Sequence, residues 1–117
     1  RVQVHKLVAT VDCGRVINTG LAEQQIEAGL LWAFEQAVAA APEWVGRFAK
    51  SRSLTEQGLR GIGDTPEIIV QFIASDHPPG GLSGLGILPL APAVANAIHA
   101  ATGRRMRVLP FDPMGSA

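Results

Sequence analysis

The pattern of apolar and polar positions divides the chain into regular stretches punctuated by glycine and proline. From Val2 to Val11 β-branched residues predict a strand whose apolar positions change face. Val2 and Val4 share one side, and Leu7, Ala9 and Val11 the other. A bulge, or a strand buried on both faces, reconciles the two sets. Asp12, Cys13 and Gly14 end the strand. Asn18, Thr19 and Gly20 then supply turn and capping groups for a helix that starts near Leu21, with Glu23 in its first turn beside the positive end of the dipole. The helical pattern continues to Ala41, where Pro42 disfavours helical geometry, giving about 21 residues and about 30 Å. Its apolar residues, Leu21, Ile26, Leu30, Leu31, Trp32, Phe34, Ala37 and Val38, wrap more than one stripe, so most of this helix is expected to be buried.

Residues 43–66 show no sustained period, carrying Gly46, Gly58, Gly61 and Gly63 among Arg47, Lys50, Arg52 and Arg60. They read as a long irregular connection, of the kind that is functional or covered by a partner. Glu67 to Ala74 (EIIVQFIA) is the clearest strand, apolar enough to be central, bounded by Thr65-Pro66 and by Asp76-His77-Pro78-Pro79. The prolines lead into a loop with Gly80, Gly81, Gly84 and Gly86, and a second helix follows from Leu90 to Thr102 with Gly103 as its left-handed cap. Met106 to Leu109 is a candidate short strand, and Pro110 to Ala117 is expected to fray. The expected fold is α+β: a mixed sheet packed against two helices, residues 1–117 forming one module.

Apolar residues make up 47% of the 117 and charged residues 17%. So apolar a small chain is expected to present much of its surface to another protein. Ten basic and ten acidic residues cancel, leaving no basic face for nucleic acid. The single cysteine, Cys13, has no partner for an internal disulfide and reads as a small buried hydrophobe. The longest apolar run, Ala28 to Phe34, is far below the ~20 residues that span a bilayer, so no membrane-spanning segment is expected. The chain begins at Arg1 on a strand-like pattern without the apolar core of a signal peptide, as expected of a C-terminal piece of a longer protein.

Little of the chemistry-bearing inventory forms a constellation. His5, His77 and His99 are too far apart in sequence for zinc-ligand spacing. Ser83 in Leu82-Ser83-Gly84-Leu85-Gly86 lacks the strand-to-helix context of a nucleophile elbow. The glycine loop is the stronger candidate, because glycines let backbone N–H groups approach a bound group and a following helix N-terminus favours anions. Taken alone, such a loop also fits a turn or a generic phosphate-binding domain, which would bind sulfate or nucleotides. Gln25, an amide on the long helix, should find a hydrogen-bond partner if buried.

The wording of three blocks adds a family resemblance. PPGG followed by the glycine loop, LAPAVANAI and ATG resembles the C-terminal end of the molybdenum-cofactor-binding large subunit of molybdenum hydroxylases. Within this xanthine dehydrogenase and aldehyde oxidase superfamily, it resembles the branch of isoquinoline 1-oxidoreductase and membrane-bound aldehyde dehydrogenase. VDCGRVIN at Val11 to Asn18 and QQIEAGLLWAF at Gln24 to Phe34 are similar to the two preceding blocks, in the same order. The resemblance implies oxidation of an aldehyde or N-heterocycle with water-derived oxygen. It also implies a molybdenum–molybdopterin cofactor bound jointly with residues outside this chain. The implied partners are the remainder of the molybdenum-binding subunit and an iron–sulfur subunit, with a haem partner such as cytochrome c as an alternative acceptor and a homo-oligomer compatible with all of them. Periplasm, a membrane-associated complex and cytoplasm all stay open.

Residue by residue, Gln25 matches the family glutamine beside the cofactor, with Ala28 in place of the usual glycine after Glu27, and Glu27 is expected to bond to backbone. Gly81, Ser83 and Gly84 match the loop that lines the pocket. The family usually reads GG-V-G-E-P-G in this loop, its glutamate serving as general base, and that position here is Gly84. Asp76 and Asp112 lie too far away along the chain to substitute for it. An alternative therefore stands beside the enzymatic one: a structural or cofactor-assembly module that has kept the fold without the chemistry.

Overall fold

The computed structural model describes residues 3–38, 43–50, 53, 56 and 61–111. Strand β1, Lys6–Val11, pairs in parallel with β4, Glu67–Phe72, in a register that sets Leu7 beside Ile68, Ala9 beside Val70 and Val11 beside Phe72. These six side chains share one face and pack on the core, whereas Val8 on the opposite face is 60% exposed. The register change read at the start of the chain has a simpler origin than a bulge: the strand begins only at Lys6, leaving Val4 outside it. Val2 lies outside the described residues.

Between the paired strands runs helix α1, Thr19–Val38. Asn18 immediately precedes it, and its Oδ1 accepts the Leu21 N–H at 3.0 Å, satisfying a donor that the first turn leaves unpaired. The helix thus starts two residues earlier than expected, and no acidic residue lies in its first turn, Glu23 falling beyond it. Burial also differs. Ala22, Ile26, Gly29, Leu30, Ala33, Phe34 and Ala37 form one stripe at spacings of three and four, while Leu21 and Trp32 are 64% and 65% exposed. Apolar composition had suggested burial all round; packing selects a single face. The predicted end of this helix, residues 39–42, lies outside the described residues.

Helix α2, Leu90–Thr102, lays Leu90, Val94 and Ile98 against that stripe. Phe34, Ile26 and Leu90 are the largest wholly buried side chains. Gly103 ends α2 at φ 74°, donating its N–H to the His99 carbonyl, as its place in the sequence predicted. Beyond it, Met106 to Leu109 forms no strand; the tail returns across α1, where the Phe111 N–H donates to the Ala37 carbonyl at 2.7 Å and its ring joins the core. Fraying therefore does not begin at Pro110; residues 112–117 lie outside the described set.

The irregular reading of residues 43–66 is corrected in part. Strands β2, Trp44–Val45, and β3, Phe48–Ala49, form an antiparallel hairpin turned at Gly46, φ 61°. A short 3-10 turn occupies Ile62–Asp64. Two-residue strands are too short to show a period, which is why they left no trace in the pattern. Lys50 Nζ bonds the Glu43 carboxylate at 2.5 Å, holding Glu43 below the usual carboxylate range and Lys50 above its own. Any stabilisation from Glu43 is present above its ordinary titration range and lost as pH falls through the lowered one, and at so exposed a site solvent screens it heavily.

The α+β class holds, with parallel and antiparallel pairing divided between two small sheets. Glu67–Phe72 is shorter than the predicted strand and is paired on one side only, so within these residues it is an edge.

Candidate active site

The site is built where the turn after β1 meets the loop after β4. Gly14 adopts φ 73°, and a Cβ there would collide with the Pro78 carbonyl oxygen, so only glycine allows this approach. The Arg15 N–H donates to the His77 carbonyl at 3.0 Å and the Gly80 N–H to the Cys13 carbonyl at 2.7 Å, tying the two loops together. Further along, Gly86 packs on the α1 backbone: a Cβ there would lie 2.5 Å from the Ile26 oxygen and 3.1 Å from the Leu30 nitrogen. Gly29 reciprocates, its absent Cβ leaving room for Gly86.

These contacts enclose a groove of about 340 Å³, lined by Cys13, Arg15, Asn18, Leu21, Gln25, Gly80 and Leu82 among others. Gln25 therefore faces the same space as the start of the glycine loop. Its side chain is exposed and makes no hydrogen bond among the described residues, so the buried partner expected from sequence is not required. Cys13 is buried, as expected, and also contributes to the wall. Glu27 is half-buried and its carboxylate makes no hydrogen bond among the described residues, so the expected side-chain bond to backbone is not formed.

Gly81, Ser83 and Gly84 follow directly but do not line the groove itself. The chain coils through successive turns there, with the Leu85 N–H donating to the Leu82 carbonyl and the Ile87 and Leu88 N–H groups to that of Gly84. By contrast, the N–H groups of Gly81, Ser83 and Gly84 donate to no group among the described residues. No atom of the described residues would lie within 4 Å of a Cβ at Gly81 or Gly84. Uncommitted amides, an uncommitted carboxamide and open space suit a hydrogen-bond-rich, anionic organic group such as molybdopterin. The groove offers no ligand set for the metal ion itself, and no three His, Cys, Asp or Glu side chains converge among the described residues.

Comparison with known proteins turns this geometry into kinship. The chain is 34% identical over 112 residues to the membrane-bound aldehyde dehydrogenase [pyrroloquinoline-quinone] of Gluconacetobacter polyoxogenes, spanning 96% of this chain and 14% of that protein. It is 24% identical to isoquinoline 1-oxidoreductase subunit beta of Brevundimonas diminuta, over 94% of the chain and 14% of the relative. With the xanthine dehydrogenase molybdenum-binding subunit of Escherichia coli O157:H7 it shares 29% identity over 97% of the chain and 16% of the relative. Among solved structures, CO dehydrogenase from Oligotropha carboxidovorans superposes with a TM-score of 0.64 at 27% identity, covering 82% of this chain and 13% of that one. The chain belongs to the molybdenum hydroxylase superfamily. No family model matches it.

Like the molybdenum hydroxylase segments it matches, the chain corresponds to about one-seventh of each curated relative. The aldehyde dehydrogenase is named for a quinone cofactor, whereas the xanthine dehydrogenase subunit is named for molybdenum. No helix among the described residues is long and apolar enough to cross a membrane. Sequence reasoning singled out Gln25 and the loop but overlooked Arg15 and Leu82 as wall residues; the VDCGRVIN block held the signal for Arg15.

Proposed function

We propose that this chain is the C-terminal module of the molybdenum-binding subunit of a molybdenum hydroxylase and forms one wall of the cofactor pocket. The observation that carries this reading is the groove in which Gln25 of α1 meets the glycine loop after β4. Gln25 offers a carboxamide that can both donate and accept, and Gly81, Ser83 and Gly84 offer backbone N–H donors to the pterin. When bound, the cofactor supplies oxidative hydroxylation of an aldehyde or N-heterocycle with oxygen from water. Electrons leave to an iron–sulfur subunit, or to a cytochrome c, and the rest of the pocket comes from other parts of the subunit. The residues of this chain orient the cofactor and close one side of its site against water.

A second reading is favoured by Gly84. This loop position carries no proton acceptor, and loss of general-base assistance costs about 100- to 10,000-fold in rate. A module that retains the fold and holds or hands on the cofactor without turnover accounts for that substitution. The space around Gly84 is open, so a glutamate fits without steric cost in the loop. Full-length protein and its Gly84→Glu variant, assayed with aldehydes and N-heterocycles, separate the readings. Weak wild-type turnover that rises by at least 100-fold in the variant supports an enzyme lacking its base. High wild-type turnover, unchanged in the variant, shows that the base lies elsewhere.

A further inference from the structure

Among the described residues that line the groove, Arg15 is the one permanently charged side chain, and none of them is an aspartate or glutamate that would neutralise it. Its guanidinium forms no ion pair or hydrogen bond among the described residues. Its backbone, in contrast, is held firmly. The Arg15 N–H is bonded to the His77 carbonyl, and the preceding Gly14 is locked at φ 73° against Pro78. Three residues on, the neutral Asn18 uses its side-chain oxygen to cap α1 and brings no charge to balance the guanidinium. An uncompensated cation on a fixed backbone, opening on the same space as Gln25, is complementary to an anion. A planar guanidinium fits the two oxygens of a phosphoryl group better than any other anion-binding side chain.

We infer that Arg15 binds the phosphoryl end of the organic cofactor, while Gln25 and the loop amides address its ring system. This inference rests on the reading given under Proposed function and adds a residue and a ligand chemistry to it. Its signature is electrostatic: retention of the cofactor should weaken with added inorganic phosphate and with salt, and Arg15 should be the source of much of that dependence.

The test uses full-length protein as wild type, Arg15→Gln and Arg15→Lys. Pterin and molybdenum retained are measured after dialysis against rising inorganic phosphate, alongside thermal unfolding. Arg15→Gln is expected to lose cofactor about 10- to 100-fold more readily and to lose its phosphate dependence, with Arg15→Lys intermediate because a point charge cannot bind bidentately. Because Arg15 is exposed, its replacement should leave the unfolding midpoint of the cofactor-free protein unmoved, so that any fall in the loaded protein reports lost cofactor. Equal retention by wild type and Arg15→Gln at every phosphate concentration overturns the inference while leaving the cofactor reading intact. Wild-type protein without pterin overturns both. Arg15-dependent binding of inorganic phosphate alone, with no pterin in any preparation, overturns the cofactor as the source of the phosphoryl group.

Discussion

Single atoms decide how the glycine loop sits. Gly86 and Gly84 are two residues apart and chemically identical, yet a Cβ at Gly86 would press on the α1 backbone, whereas one at Gly84 would meet nothing. Gly86→Ala is therefore expected to destabilise full-length protein by about 1–3 kcal/mol, since the obstacle is backbone that cannot swing aside. Gly84→Ala should fall within about 0.5 kcal/mol of wild type. Chemical denaturation of both variants checks the contrast, and equal midpoints would remove the close approach on which the placement of the loop depends. This distinction was hidden in the sequence, where all four glycines of the loop look alike. Family wording located the loop and set Gly84 where the resemblance implies a glutamate, but only geometry shows which glycine packs on backbone and which has room for a side chain.

Helix α1 illustrates where sequence reading succeeds and fails at the level of an element. Its existence and its capping at Asn18 follow from local chemistry and the spacing of apolar residues. Which apolar residues are buried does not, because that depends on the direction from which α2 and the sheet arrive. Phe34 is almost wholly buried and Trp32, two positions earlier, is mostly exposed. Phe34→Ala should cost about 3–5 kcal/mol, leaving a cavity in the core that Phe34 shares with Leu90 and Phe111. Trp32→Ala should cost under about 0.5 kcal/mol in this chain. Thermal melts of the two variants check this, and comparable losses would restore the all-round burial that composition alone suggested. The hairpin of β2 and β3 fails for the opposite reason: elements this short are closed by a single left-handed glycine, Gly46, and by backbone bonds such as that from the Lys50 N–H to the Glu43 carbonyl, neither of which produces a period.

For the whole molecule, exposed apolar surface is the telling quantity. Trp44, Val45 and Phe48 on the hairpin, Ile62 on the 3-10 turn and Val8 on the sheet are all large apolar residues left in solvent. The hairpin also packs on no other described element. Such exposure is what a segment of a larger subunit shows when its neighbours are absent, and it agrees with the chain spanning 14% of its aldehyde dehydrogenase relative. The high apolar fraction had already predicted a covered surface; on the function proposed above, the partners that cover it are the rest of the molybdenum-binding subunit and the iron–sulfur subunit. The central claim concerns what those partners and this groove enclose together. It is tested most directly by the molybdenum and pterin content of the purified full-length protein. Near-equimolar molybdenum and pterin are predicted, whereas protein that carries neither, or carries pyrroloquinoline quinone in their place, would contradict the account.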